Sequence, residues 1–123
     1  MSVADTHLVG RLGEMLAEAY LRGIGARILE RNYRKDGGEV DLLMLHEDDL
    51  VAVEVKTRAE TDLERPEEAI TWWQLRRIVH GLANYANEAD LLDLHWRVDL
   101  LAVETDVQGN IQRLEHIRDI YPP

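Results

Sequence analysis

Apolar residues recur along this chain with two different periods. From a cap at Asp5 or Thr6 to about Gly23, Leu8, Leu12, Met15, Leu16, Ala19 and Tyr20 fall at helical spacing, so a first helix is predicted with that face inward. Gly23 and Gly25 end it. Ala26 to Arg34 reads as a strand, with Ile28 on one face and Arg27, Leu29 and Arg31 on the other. Gly37 to Leu45 and Leu50 to Arg58 are apolar runs rich in β-formers, parted by the polar His46-Glu47-Asp48-Asp49, which predicts a hairpin. Ala59 to Glu68 is a polar loop. Pro66 suits the first turn of a second helix that runs to about Asn87, with Trp72, Leu75, Val79, Leu82, Ala83 and Ala86 as its core face. Leu94 to Thr105 is a long strand interrupted by Asp99, Asp106 to Asn110 is a turn signal, and Ile111 to Ile120 is a last strand.

The order is helix, three strands, helix, two strands, which gives an α/β fold with a mixed central β-sheet flanked by helices. The first three strands form an antiparallel meander. The second helix then crosses over to a strand parallel to the third.

The hairpin carries charges where apolar residues are the default. A two-residue turn at Glu47-Asp48 pairs His46 with Asp49, and counting back puts Asp41 opposite Glu54. Glu54 and Lys56 share a face, while Val51, Val53 and Val55 take the other. Asp41, Glu54 and Lys56 then converge on one side of a largely buried sheet. Two carboxylates facing each other destabilise a hairpin unless something positive lies between them. Magnesium or manganese suits the position, since magnesium prefers one or two carboxylates and keeps several waters. The Val55 carbonyl is a further candidate ligand, and Lys56 a candidate partner for the attacking water. The bland readings are edge-strand surface residues, disfavoured by the apolar residues on both sides, and a structural ion-pair network in which Lys56 satisfies Glu54.

Gly38-Glu39-Val40-Asp41 followed by Val53-Glu54-Val55-Lys56-Thr57-Arg58 resembles the core of the YraN-like proteins. These are bacterial proteins of poorly defined function with a restriction-endonuclease-like core, similar to archaeal Holliday-junction resolvases. The resemblance extends to Gly10-Arg11-Leu12-Gly13-Glu14, Arg31-Asn32-Tyr33-Arg34 and Arg97-Val98-Asp99, and so covers most of the chain. It implies metal-binding roles for Asp41 and Glu54 and a catalytic role for Lys56. Glu14 matches the acidic residue that the fold often supplies from its first helix, although on the predicted wheel it sits away from the core and reads equally well as a solvated residue. Gln74 stands where the family commonly carries a lysine, and can bond a phosphate or water without bringing charge.

At 123 residues, 46% hydrophobic and 31% charged, the expectation is one domain over residues 1–123. The chain has no cysteine, so thiolate metal sites are excluded, and its five histidines show no paired ligand spacing. No apolar run approaches a membrane span and the start lacks a signal-peptide pattern, which makes the cytoplasm the expected location, away from membranes. Acidic residues number 24 against 14 basic ones, for a net charge of −10. That balance opposes tight non-specific binding to nucleic acid, because phosphate contacts carry much of such affinity. Arg27, Arg31, Arg34 and Lys35 form the densest basic group and, with Arg58, are the candidate phosphate contacts; the alternative is a charged strand edge.

Trp73, Arg77, His80 and Asn84 share a second face of the second helix. An indole there can stack on a nucleobase, anchor a protein contact or pack under a neighbouring loop, and a homo-oligomer through Trp73 is the expectation. The sequence reading is therefore a magnesium- or manganese-dependent endonuclease acting on a nucleic-acid phosphodiester, such as a branched or structured DNA. The alternative is a non-catalytic module that keeps the fold and binds nucleic acid or protein.

Overall fold

The structure, a computed structural model, describes residues 3–59 and 65–121. Its elements are α1 (Val3–Gly23), β1 (Arg27–Lys35), β2 (Gly38–His46), β3 (Asp49–Ala59), α2 (Trp72–Glu88), β4 (Trp96–Thr105) and β5 (Ile111–Ile117), with a short 3-10 turn at Pro66–Ala69. The sheet order is β1-β2-β3-β4-β5. Only β3 and β4 run parallel; the other neighbours are antiparallel. This is the mixed sheet and the α-β-β-β-α-β-β order that the apolar pattern and the restriction-endonuclease-like resemblance imply.

Glu47 and Asp48 both take positive φ, 52° and 68°. Two such residues make the turn whose twist matches that of paired strands; the short Asp48 side chain tolerates it, whereas Glu47 adopts it without that preference. The turn sets His46 opposite Asp49 and Leu42 opposite Val53, the register expected from the sequence.

One helix covers each face of the sheet. Ala17 and Leu21 of α1 pack with Leu42, Met44, Val51, Val53 and Leu101. Leu75, Ile78, Leu82 and Ala86 of α2 pack with Val40, Leu43, Leu50, Ala52 and Val98. The inward face of α1 is therefore not the predicted one: Leu12, Met15 and Leu16 are exposed. The buried stripe is Gly13-Ala17-Leu21, and it begins with small residues because the helix comes very close to β3 at Gly13. A Cβ on Gly13 would lie 2.6 Å from the Thr57 hydroxyl. Close approach selects the side with the least bulk, even where a larger apolar stripe exists.

The α2 stripe is also rotated from the prediction. Ile78 is buried, Val79 only partly, and Trp72 is exposed. Here too a glycine decides which side faces in, since a Cβ on Gly38 would stand 2.5 Å from the Gly81 Cα. Nor does the helix start at Pro66. The 3-10 turn ends, Ile70 is extended, and Thr71 caps a new start by accepting the Gln74 N–H at 3.1 Å.

Asp99 interrupts the apolar run of β4 for a structural reason. Its carboxylate accepts from Arg97 Nε (3.0 Å), His116 Nε2 (2.8 Å) and the Asp119 N–H (3.0 Å), and is wholly buried. Arg97 carries the network on to Asp49 and His46. This cluster ties the chain after β5 to the sheet at the hairpin-turn end.

Candidate metal and phosphodiester site

The regular pairing of β2 with β3 stops at Leu42–Val53. One residue further on, the Asp41 carboxylate accepts the Val55 N–H at 2.8 Å, so a side chain stands where the ladder would have continued. On the other edge of β2, pairing with β1 skips Asp41, and the facing Asn32 has φ of 49°. Alternation also breaks here. Val40 packs under α2 while Leu42 packs under α1, although residues two apart in a strand normally share a face. Asp41 therefore marks a backbone irregularity, and its carboxylate is reached from both sides of the sheet. Under α2 it lines a polar recess of about 90 Å³ with Glu39, Glu54, Gln74, Arg77 and Ile78. On the α1 side it borders a groove shared with Arg11, Glu14, Glu18, Arg31 and Asn32.

Glu54 points under α2. Its Oε1 accepts from Gln74 Nε2 at 3.1 Å and lies 3.6 Å from Lys56 Nζ. The Asp41 and Glu54 carboxyls line the same recess and perturb each other's protonation. Burial, and then the charge of Asp41, push Glu54 up to about 7, against the pull of Lys56. Burial also raises Asp41, opposed by the Val55 N–H. One ammonium faces two carboxylates, so near neutral pH the pair retains a proton in the absence of another cation.

That shortage of positive charge is the test of fit for a metal, and the donors are hard oxygens of the sort magnesium and manganese take. In an extended strand the N–H and C=O of one residue point the same way. The Val55 carbonyl is thus directed, like its N–H, into the gap beside Asp41. Among the described residues no three His, Cys, Asp or Glu side chains are arranged so as to hold a metal ion together, so any cation would rest on two carboxylates, a carbonyl and waters.

The other residues singled out from sequence are spread more widely. Glu14 is exposed on α1, across the second groove from Asp41. Arg31 reaches that groove but is ion-paired with Glu18, whose carboxyl its hydrogen bonds hold down at about 2. Arg34 pairs with Glu39 at 3.2 Å and Lys35 with Glu88 at 2.6 Å. Arg27 lies opposite Leu45 towards the other end of β1, and Arg58 sits in register with Glu104. The basic residues of β1 are therefore divided among three places.

The predicted second face of α2 is divided as well. His80 Nε2 contacts the Asp36 carbonyl and Asn84 donates to the Lys35 carbonyl, so both are engaged by the β1–β2 turn. Arg77 instead lines the recess. Its place was readable as the position one helical turn after Gln74.

A mixed sheet whose central strands part at a carboxylate pair, one member buried and one half-buried, defines this as an α/β protein of the kind the resemblance implied. The chain belongs to the Uncharacterised protein family UPF0102, the YraN-like proteins, whose family model matches residues 13–103. Among similar proteins, a UPF0102 protein of Arthrobacter sp. (strain FB24) is 41% identical over 114 residues, spanning 92% of this chain and 95% of its own. One from Bacteroides thetaiotaomicron is 37% identical over 122 residues, with 98% of each covered. One from Christiangramia forsetii is 34% identical over 119 residues, covering 97% of this chain and 98% of its own. The solved structure of Pyrococcus furiosus SfsA in complex with Ca2+ is similar at a TM-score of 0.33 and 15% identity, over 87% of this chain and 62% of that one.

Proposed function

We propose that this protein is a metal-dependent nuclease that hydrolyses a phosphodiester of nucleic acid, with branched or structured DNA as the favoured substrate, in the cytoplasm. The observation that carries the reading is the Asp41–Glu54 pair: two carboxylates, Glu54 buried and Asp41 half-buried, lining one recess at the strand parting, with Lys56 Nζ 3.6 Å from Glu54. Asp41, Glu54 and the Val55 carbonyl would hold magnesium or manganese. Such an ion supplies a water of lowered pKa and offsets charge on the phosphate.

The chain's own groups do the rest. Gln74 fixes the Glu54 rotamer through Oε1. The Lys56 ammonium lowers the cost of ionising Glu54 and is placed to hydrogen-bond an attacking water beside it. Arg77, at the recess, is suited to a phosphate oxygen, and Arg31 and Glu14 flank the second approach to Asp41. Arg34, Lys35 and Arg58 would reach phosphates only at the periphery, and Arg34 and Lys35 would first release carboxylates.

A non-catalytic binding module is the competing reading. It is favoured by Gln74, a neutral side chain where the resemblance implies a lysine, and by the net charge of −10. A cleavage screen of branched, flapped, single-stranded and duplex DNA with manganese separates the two. Cleavage that vanishes in chelator and in Glu54→Gln supports the nuclease. No cleavage of any substrate, or equal cleavage by Glu54→Gln, rejects it.

A further inference from the structure

Trp72 and Trp73 open α2 with 57% and 69% of their surface exposed, although the helix buries its apolar face elsewhere. The guanidinium of Arg76 lies 5.7 Å from the Trp72 ring centroid and 5.6 Å from that of Trp73. One cation thus lies over a face of each indole, and more than half of each side chain remains exposed. Residues three and four apart are neighbours on a helix surface, so Trp73 adjoins Arg77, and Arg77 adjoins Gln74. Arg77 and Gln74 line the recess that holds Asp41 and Glu54. A continuous surface therefore runs from two exposed indoles, through two arginines, to the carboxylate pair.

We infer that Trp72, Trp73 and Arg76 form a stacking platform for unpaired nucleobases, and that the recess beside it receives the phosphodiester of a single-stranded segment. The inference rests on the reading of that recess as a phosphodiester site, and it adds the substrate class: nucleic acid with unpaired bases next to the cleaved bond. Three features of this surface suit that occupant. Indole faces stack on any base without reading sequence. Arg76 and Arg77 supply positive charge locally, where the molecule as a whole is negative. Paired bases present their edges and backbone but not their faces, so a duplex gains nothing from the indoles. A chain that repels nucleic acid overall can still hold a short unpaired stretch in this way.

The test measures binding without cleavage. Glu54→Gln protein in chelator and low salt is titrated by anisotropy against a fluorescein-labelled oligothymidylate and against a labelled duplex. The oligothymidylate should bind more tightly than the duplex. Adding Trp73→Ala should weaken that binding roughly 5- to 150-fold, the range for losing one stacked base, and Trp72→Ala should act similarly. Trp73→Tyr should restore most of the affinity, and duplex binding should not change. Both indoles are exposed, so these variants should melt like the parent.

Equal affinity for strand and duplex, no detectable strand binding, or an unaffected Trp73→Ala variant would each overturn the platform. So would a parent protein that sediments as a dimer and becomes monomeric in Trp73→Ala, since the indoles would then be a contact between copies. Failure of the nuclease reading shows elsewhere, as absence of manganese-dependent cleavage by the unsubstituted protein.

Discussion

The Asp41 carboxylate accepts the Val55 N–H at 2.8 Å and so replaces the backbone ladder at the point where β2 and β3 part. The same side chain holds the strands open and presents a charge to Glu54, and two substitutions separate these roles. Asp41→Asn keeps an acceptor for Val55 and removes a half-buried charge facing another carboxylate, so in chelator near pH 8 it should stabilise the protein by about 1 kcal/mol. Asp41→Ala leaves the Val55 N–H without its acceptor and should cost about 1–3 kcal/mol. Urea melts of both variants would show the opposite signs.

Glu54 makes the metal-free protein sensitive to alkali. Its folded pKa, about 7, lies above the ordinary 4.5, so the fold favours the neutral form. The resulting stabilisation is complete below pH 4.5 and is lost as pH rises through about 7. The melting temperature in chelator should therefore fall between roughly pH 5 and pH 8, and Glu54→Gln should remove most of that slope. An identical slope in Glu54→Gln would place the titration elsewhere.

The glycine contact between α2 and the start of β2 should be intolerant of any side chain. A Cβ on Gly81 would lie 2.8 Å from Val40 Cγ2 and 3.1 Å from the Glu39 nitrogen. Gly81→Ala should cost about 1–3 kcal/mol by overpacking. Gly10→Ala, in α1 with nothing within 4 Å, should instead stabilise by up to about 1 kcal/mol through helix propensity. Denaturant melts of the pair decide whether close approach or propensity governs.

Asp99 is expected to matter for folding and not for chemistry. Burial raises its pKa, but hydrogen bonds from His116, Arg97 and the Asp119 N–H outweigh burial and leave it below the usual carboxylate range. Its contribution is thus present above the ordinary pKa of 3.8 and is lost as pH falls below it. Asp99→Ala leaves Arg97 buried without its main partner and should cost about 3–5 kcal/mol. Thermal melts at neutral pH and in acid would check both statements.

These residues also show which parts of the fold were legible in the sequence. The hairpin register was, because the polar break His46-Glu47-Asp48-Asp49 between two apolar runs has room for a two-residue turn at Glu47-Asp48, and every later pairing follows from it. The topology followed from element order. The inward faces of both helices were not, because apolar periodicity cannot rank two stripes when a glycine sets the closest approach, as Gly13 and Gly81 do. The late start of α2 was missed although Thr71-Trp72-Trp73-Gln74 carries a capping signature. At the site, Asp41, Glu54 and Lys56 were read from strand alternation. The break in alternation at Asp41 itself was invisible, since it depends on Asn32 in the neighbouring strand. The basic residues of β1 were contiguous in sequence but are dispersed by that same irregularity and by carboxylates brought from α1 and α2.

The central claim is that Asp41 and Glu54 hold a divalent cation, and thermal melts in chelator and in magnesium test it most directly. Magnesium at tenfold excess over its dissociation constant should stabilise the unsubstituted protein by about 1.4 kcal/mol, from mass action alone. Asp41→Asn should melt higher than the parent in chelator and gain less from magnesium. An Asp41→Asn variant that melts lower than the parent in chelator, together with no magnesium-dependent shift in the parent, would contradict the account and leave the two carboxylates as parts of a structural ion-pair network.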